Sequence, residues 1–179
     1  WEAINLANHH PRVNILQPGP GVGGHCIAID PWFIVDSAPD STELIRAARK
    51  VNDAKPGYLA RKIITEASKQ LAPVIACLGL SYKADIDDMR QSPAVEVVCQ
   101  LAEFLNGDKE GKILAVEPNI KFLPPKLQDV QGVTLTSLDD ALDAASIIVL
   151  LVDHKIFKEV SRNRLNEKEI FDARGIWQT

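Results

Sequence analysis

Three apolar runs constrain this chain more than any other feature: residues 74–80 (VIACLGL), 112–116 (KILAV) and 146–152 (SIIVLLV). A strand with one wet face alternates apolar and polar residues; a strand apolar at almost every position is covered on both faces. Helical patterns separate the runs, so the strands are predicted to lie parallel, with helices packed on both sides. Weaker strands at 133–136 and 169–172 complete a five-stranded, doubly wound, Rossmann-like α/β domain from residue 73 to the end. Helices are expected at 93–106 and 138–145. In such a sheet the ligand sits at the carboxyl ends of the strands, near the switch point. Those ends are Gly79-Leu80-Ser81-Tyr82-Lys83, Glu117-Pro118-Asn119, Val152-Asp153-His154 and Ala173-Arg174-Gly175.

Upstream the pattern changes. Residues 1–7 (WEAINLA) read as the last turns of a helix already under way, which suggests a segment cut from a longer protein. Residues 9–40 are loop-rich, with a short apolar run, Trp32-Phe33-Ile34-Val35. A loop of that length is usually functional or disordered, and its apolar residues argue against disorder. From Ser41, a plausible cap, the spacing of Leu44, Ile45, Ala48 and Val51 predicts a helix. Pro56 can open a second one, with Leu59, Ile63, Ile64, Ala67 and Leu71 on its apolar stripe. This segment is either two helices end to end or one long kinked helix. The expected organisation is 1–40, 41–72 and 73–179.

Composition removes several function classes. The net charge of -4 gives no reason to expect nucleic-acid binding, and an anionic ligand needs a local basic cluster. No apolar run approaches the roughly 18 residues of a membrane span. Three widely spaced cysteines, Cys26, Cys77 and Cys99, do not make a disulfide framework and suggest a reducing, cytoplasmic setting.

The densest chemical signal is residues 18–31, PGPGVGGHCIAIDP. Four glycines between Gly19 and Gly24 let the backbone approach a ligand and present its N–H groups. A cysteine directly after such a turn meets amide donors that favour thiolate, and Asp30, four residues on, could order water or steer a proton. The alternative is a turn that happens to precede a buried cysteine. A metal at His25-Cys26, completed by His9 or His10, fails on ligand spacing, so no metal is expected. Cys77 and Cys99 lie in apolar patterns and read as core. The second signal, residues 79–94 (GLSYKADIDDMRQSPA), leaves the first strand and enters a helix with Ser92 as cap and Pro93 in its first turn. A phosphate is expected at that helix N-terminus. No G-x-G-x-x-G is present, which disfavours a dinucleotide here; Lys83 and Arg90 are either its cations or solvated charges paired with Asp85, Asp87 and Asp88.

Together, GVGGHCIAIDPWFIV and GLSYKADIDDMRQSPA resemble the UDP-glucose/GDP-mannose dehydrogenase family, whose nucleophile loop runs G-G-x-C-x-x-x-D and whose C-terminal domain opens G-x-x-[FY]-K, then D-x-R-x-S-P-A. HHPRVNILQPGPGVGGHC, VDHKIF and the late GIW are most similar to the branch that oxidises UDP-N-acetylmannosamine. The resemblance implies an NAD-dependent, four-electron oxidation of a sugar C6 alcohol to a carboxylate through a cysteine-bound intermediate. It implies Cys26 as nucleophile and Asp30 as the assisting acid. It gives Gly23, Gly24, Tyr82, Lys83 and Arg174 to the UDP-sugar and Arg90 to NAD, with His10 and Arg12 as contacts lent across a homodimer. Ile29 and His25 stand where many UDP-glucose enzymes have Lys and Ser, which favours an N-acetylated amino sugar. The resemblance also places the family's NAD-binding domain before this segment, so the chain alone is expected to turn nothing over.

Overall fold

The computed structural model describes residues 1–108 and 110–177. Its strands are β1 (Val74–Leu78), β2 (Lys112–Val116), β3 (Val133–Leu135), β4 (Ile147–Leu150) and β5 (Glu169–Asp172). Its helices are α1 (Glu2–Ala7), α2 (Asp30–Ser37), α3 (Glu43–Asp53), α4 (Lys55–Ala67), α5 (Pro93–Asp108), α6 (Pro125–Gln128), α7 (Leu138–Ala144) and α8 (Lys155–Lys158).

All five strands are parallel, in the order β3-β2-β1-β4-β5, as the apolar runs require. The chain leaves β1 toward one edge and returns beside β1 on the other side. The switch point therefore lies between β1 and β4. The pleat sorts the two cores. Ile75, Cys77, Ile113, Ala115, Ile147 and Val149 face α4 and α5, meeting Ala60, Ile63, Val98 and Leu101. Ala76, Leu78, Leu114, Ile148 and Leu150 face the opposite way, onto Ala141, Leu142 and Phe157. Truncating one of the fully buried members, such as Ile113 to Ala, is expected to cost about 2–5 kcal/mol.

β1 ends at Leu78, two residues before its apolar run does. Gly79 takes φ +92°, and a side chain there would run into Val152. The reversal aims the following loop across the top of the sheet.

Two upstream expectations need correction. The apolar run from Trp32 is not loop but part of α2, which starts at Asp30 with a proline in its first turn. Ser41 caps nothing: it closes a 3-10 turn at Pro39–Ser41, and Thr42 precedes α3 with its hydroxyl on the Ala38 carbonyl at 2.9 Å. Helix α3 forms where the spacing predicts it, with Leu44, Ala48 and Val51 away from the sheet core. Leu44 and Val51 are 83% and 72% exposed, whereas Arg49 is buried with its guanidinium on Asp53 at 2.6 Å. Periodicity locates an apolar face without saying what covers it. The two helices do run end to end, and Pro56 breaks the ladder between them by lacking an N–H. The stripe of α4 holds except for Leu71, which lies beyond the helix end and is 93% exposed.

Candidate functional site

The loop from β1 to α5 is held by buried side chains. The Leu80 and Ser81 N–H groups both donate to Glu117 Oε2, at 2.8 and 3.0 Å. Ser92 caps α5 as expected: its hydroxyl accepts from the Val95 N–H at 3.4 Å and donates to the Leu80 carbonyl at 2.6 Å. Tyr82 and Lys83 project from the loop between these anchors.

The glycine-rich segment packs directly against it. The Gly24 N–H donates to the Arg90 carbonyl at 3.2 Å. Gly23 lies so close to the Gln91 carbonyl, Pro93 and Tyr82 that a Cβ has no room, and Gly24, at φ +89°, lies against the Tyr82 ring. These two glycines are required by close approach to a neighbouring backbone and ring. Arg174 ties the far end: its Nη1 donates to the Pro18 carbonyl at 3.0 Å and its Nε to Asp153 at 2.9 Å.

Between the segments runs a cleft of about 680 Å³, with Gly19, Gly23, Asn52, Lys55, Tyr82, Lys83 and Arg174 in its walls. A smaller hollow of about 240 Å³ continues it to the ends of β1 and β4, past Ser81 and Asp153. The larger cleft is lined by three cations, Lys55, Lys83 and Arg174, and by no carboxylate. In a chain of net charge -4 this is the local basic cluster an anionic ligand needs.

Of the residues singled out in the sequence, Gly23, Tyr82, Lys83 and Arg174 meet in this cleft. Cys26 is exposed at the tip of the turn beyond Gly24 and does not line either cavity. Its carbonyl accepts from the Asp30 N–H at 2.8 Å, which sets the Asp30 carboxylate in the first turn of α2, also exposed. His10 and Arg12 lie in the exposed turn after α1, linked by the Arg12 N–H to His10 Nδ1 at 3.2 Å, away from the cleft lining. Arg90 grips Asp88, with Nη2 to Oδ2 at 2.6 Å, so the pairing weighed against a ligand role is present. That hydrogen bond holds the Asp88 carboxyl down at about 2. Cys77 is fully buried and burial pushes its thiol up to about 12, while the half-buried Cys99 is raised by the same cause. Among the described residues no group of three His, Cys, Asp or Glu is placed to hold a metal ion.

Sequence reasoning missed four residues that shape the site. Asn52 holds the glycine loop at Val22, and Asp153 holds Arg174. Glu117 and His154 form a buried pair, Nε2 to Oε2 at 3.0 Å, under the Tyr82–Lys83 loop. Glu117, Asp153 and His154 were visible as residues at strand ends; nothing in the sequence marked their partners.

The fold is a doubly wound sheet with a glycine-walled, cationic cleft that continues to its switch point, and with an exposed thiol on the adjoining loop. Comparison with known proteins names its family. The pattern of the UDP-glucose/GDP-mannose dehydrogenase family, UDP binding domain, matches residues 76–179, and that of the family's central domain matches residues 1–54. The chain belongs to this family. It is 55% identical, over 99% of its length, to an NDP-N-acetyl-D-galactosaminuronic acid dehydrogenase of Ralstonia nicotianae, covering 40% of that protein. It is 53% identical, over 92% of its length, to a UDP-N-acetyl-D-mannosamine dehydrogenase of Campylobacter jejuni, again covering 40% of it. Among solved structures, a UDP-D-ManNAc dehydrogenase from Pyrococcus horikoshii superposes with a TM-score of 0.76 at 33% identity, covering 99% of this chain and 40% of that one. The chain thus spans about two-fifths of the length of these relatives.

Proposed function

We propose that this chain carries the nucleophile and the nucleotide-sugar site of an NAD-dependent 6-dehydrogenase that converts UDP-N-acetylmannosamine to its uronic acid. The observation that carries the reading is the cationic lining of the larger cleft, with Lys55, Lys83 and the Asp153-paired Arg174, beside a glycine-walled backbone. A pyrophosphate fits Lys83 and Arg174, and the sugar extends along Gly23 and Gly24 toward the turn that bears Cys26.

On this reading Cys26 adds as thiolate to the C6 aldehyde, forming a C–S bond. The resulting thiohemiacetal loses a hydride from its carbon and a proton from its hydroxyl, leaving a thioester. Water, oriented by Asp30, then cleaves the C–S bond, releasing the carboxylate and returning the thiol. The bound aldehyde cannot escape between oxidations. NAD, when bound, supplies the two-electron acceptor for each of the two hydrides. The residues here offer NAD a contact rather than a complete site: Arg90 is exposed beside the Gly24 turn but shared with Asp88, and no G-x-G-x-x-G follows β1. His10 and Arg12 are assigned to a substrate held by the partner of a homodimer. The exposed Leu44 on α3 supports that assembly.

One observation favours a second substrate. Relatives named for N-acetylgalactosaminuronic acid match this chain as well as those named for N-acetylmannosamine, at 55% and 53% identity. Calorimetric titration of the chain with UDP tests the site, and loss of binding in Lys83→Ala is expected. NADH release by the full-length enzyme with each N-acetylated UDP-sugar tests the substrate. No release with UDP-N-acetylmannosamine, beside release with another sugar, would overturn the choice made here.

A further inference from the structure

We infer that Glu117 and His154 are positioning residues for nucleotide binding: together they fix the backbone of the loop that presents Tyr82 and Lys83. The inference rests on the assignment of that loop to the UDP-sugar.

Both side chains are buried, His154 completely. The His154 ring has a fixed partner at each nitrogen. Its Nδ1 accepts the Asp85 N–H at 2.9 Å, so that nitrogen carries no proton. Its Nε2 lies 3.0 Å from Glu117 Oε2, to which it donates. Phe157 stands edge-on to the ring, centroids 5.3 Å apart, and keeps it from turning. Glu117 collects N–H donors from Leu80, Ser81 and His154 on Oε2 and from Asn119 on Oε1. Burial alone would raise its pKa, but His154 and the Leu80 and Ser81 N–H groups outweigh it and bring the carboxyl below its ordinary value.

The consequence is a loop clamped at both ends. Leu80 and Ser81 hang on Glu117, and Asp85 hangs on His154. The Ser81 hydroxyl joins the two, donating to the Lys83 carbonyl at 2.7 Å and lying 3.3 Å from His154 Nε2. Asp85 is held at φ +60°, a conformation costly for a side-chain residue, and its carboxylate caps the Lys155 N–H at 3.0 Å. None of these groups lies in the walls of the larger cleft, yet they decide where the Tyr82 ring and Lys83 ammonium stand. Pre-ordering a ligand loop strengthens binding by removing an ordering cost.

The test uses the chain with UDP as probe and reads amide exchange and affinity separately. In His154→Phe, exchange at Asp85 should quicken at least about tenfold while β1 amides keep their protection. The Kd for UDP should rise about tenfold. His154→Asn, whose Oδ1 can accept near the Nδ1 position, should recover part of both. Glu117→Gln, of nearly identical shape, provides the same readouts should the phenylalanine variant fail to fold. A purely structural role would lower the melting temperature and leave the Kd unchanged well below it. A folded variant that binds UDP as tightly as the parent overturns the inference. If the parent itself does not bind UDP, the nucleotide assignment fails instead, and unchanged Asp85 exchange would still overturn the clamp.

Discussion

The side-chain amide of Asn52 pairs with both backbone groups of Val22. The Val22 N–H donates to Asn52 Oδ1 at 2.7 Å and Asn52 Nδ2 donates to the Val22 carbonyl at 3.1 Å, across 30 residues of sequence. One side chain thus does for the glycine loop what a neighbouring strand would do. Its removal in Asn52→Ala leaves two half-buried backbone groups to water or to nothing, at a cost of about 1–3 kcal/mol. Urea unfolding should show that loss, and UDP affinity should fall with it. An unchanged transition midpoint would mean the loop is held by other contacts.

The three thiols differ enough in surroundings to be told apart chemically. Cys26 is exposed, whereas Cys77 is fully buried with its pKa pushed up to about 12. Under native conditions iodoacetamide should therefore label Cys26 first, with Cys77 protected until the chain unfolds. Peptide mass spectrometry over a time course checks the order. Equal rates at the two sites would contradict the burial described here.

Gly23 has no room for a methyl group, because the Gln91 carbonyl and the Pro93 ring occupy that position. Gly23→Ala must push the glycine loop away from the Tyr82 loop, at about 1–3 kcal/mol in stability. The cleft between the loops changes shape in the process. A larger proportional loss in UDP binding than in Gly107→Ala, where a Cβ meets nothing within 4 Å, is the expected signature.

Acid should weaken the fold through Glu117. Its folded pKa lies below the ordinary glutamate value, so its ionisation stabilises the native state above that value. The stabilisation is lost as pH drops below about 4.3 and through the lower folded pKa. Glu117→Gln should be less stable than the parent at pH 7, with the gap narrowing toward pH 3. Denaturant titrations at the two pH values measure the difference. A constant gap would show that the carboxylate charge is not what matters.

The sheet was legible because a strand buried on both faces has no choice but to be apolar throughout. The runs at β1, β2 and β4 therefore announced both their existence and their parallel pairing. β3 and β5 are edge strands and were correspondingly weaker signals. Periodicity gave α3 its existence but not what lies opposite its apolar stripe; Arg49, polar by type, is buried through its pairing with Asp53. Helix α2 was hidden by its proline and its place inside a glycine-rich loop.

At the site, the glycine turn and Lys83 carried a local chemical meaning of their own, and the family resemblance added Tyr82 and Arg174. Asn52, Glu117 and His154 carry none until a partner is known. An asparagine is a backbone clamp only when Val22 lies opposite it. A histidine is a loop anchor only when the Asp85 N–H meets its Nδ1. The sequence determined the sheet, the glycine turns and the identity of the charged groups, because those follow from local sterics and periodicity. Only the tertiary structure decided which charges face a common cleft and which are spent on one another, because that depends on distances between residues far apart in the chain.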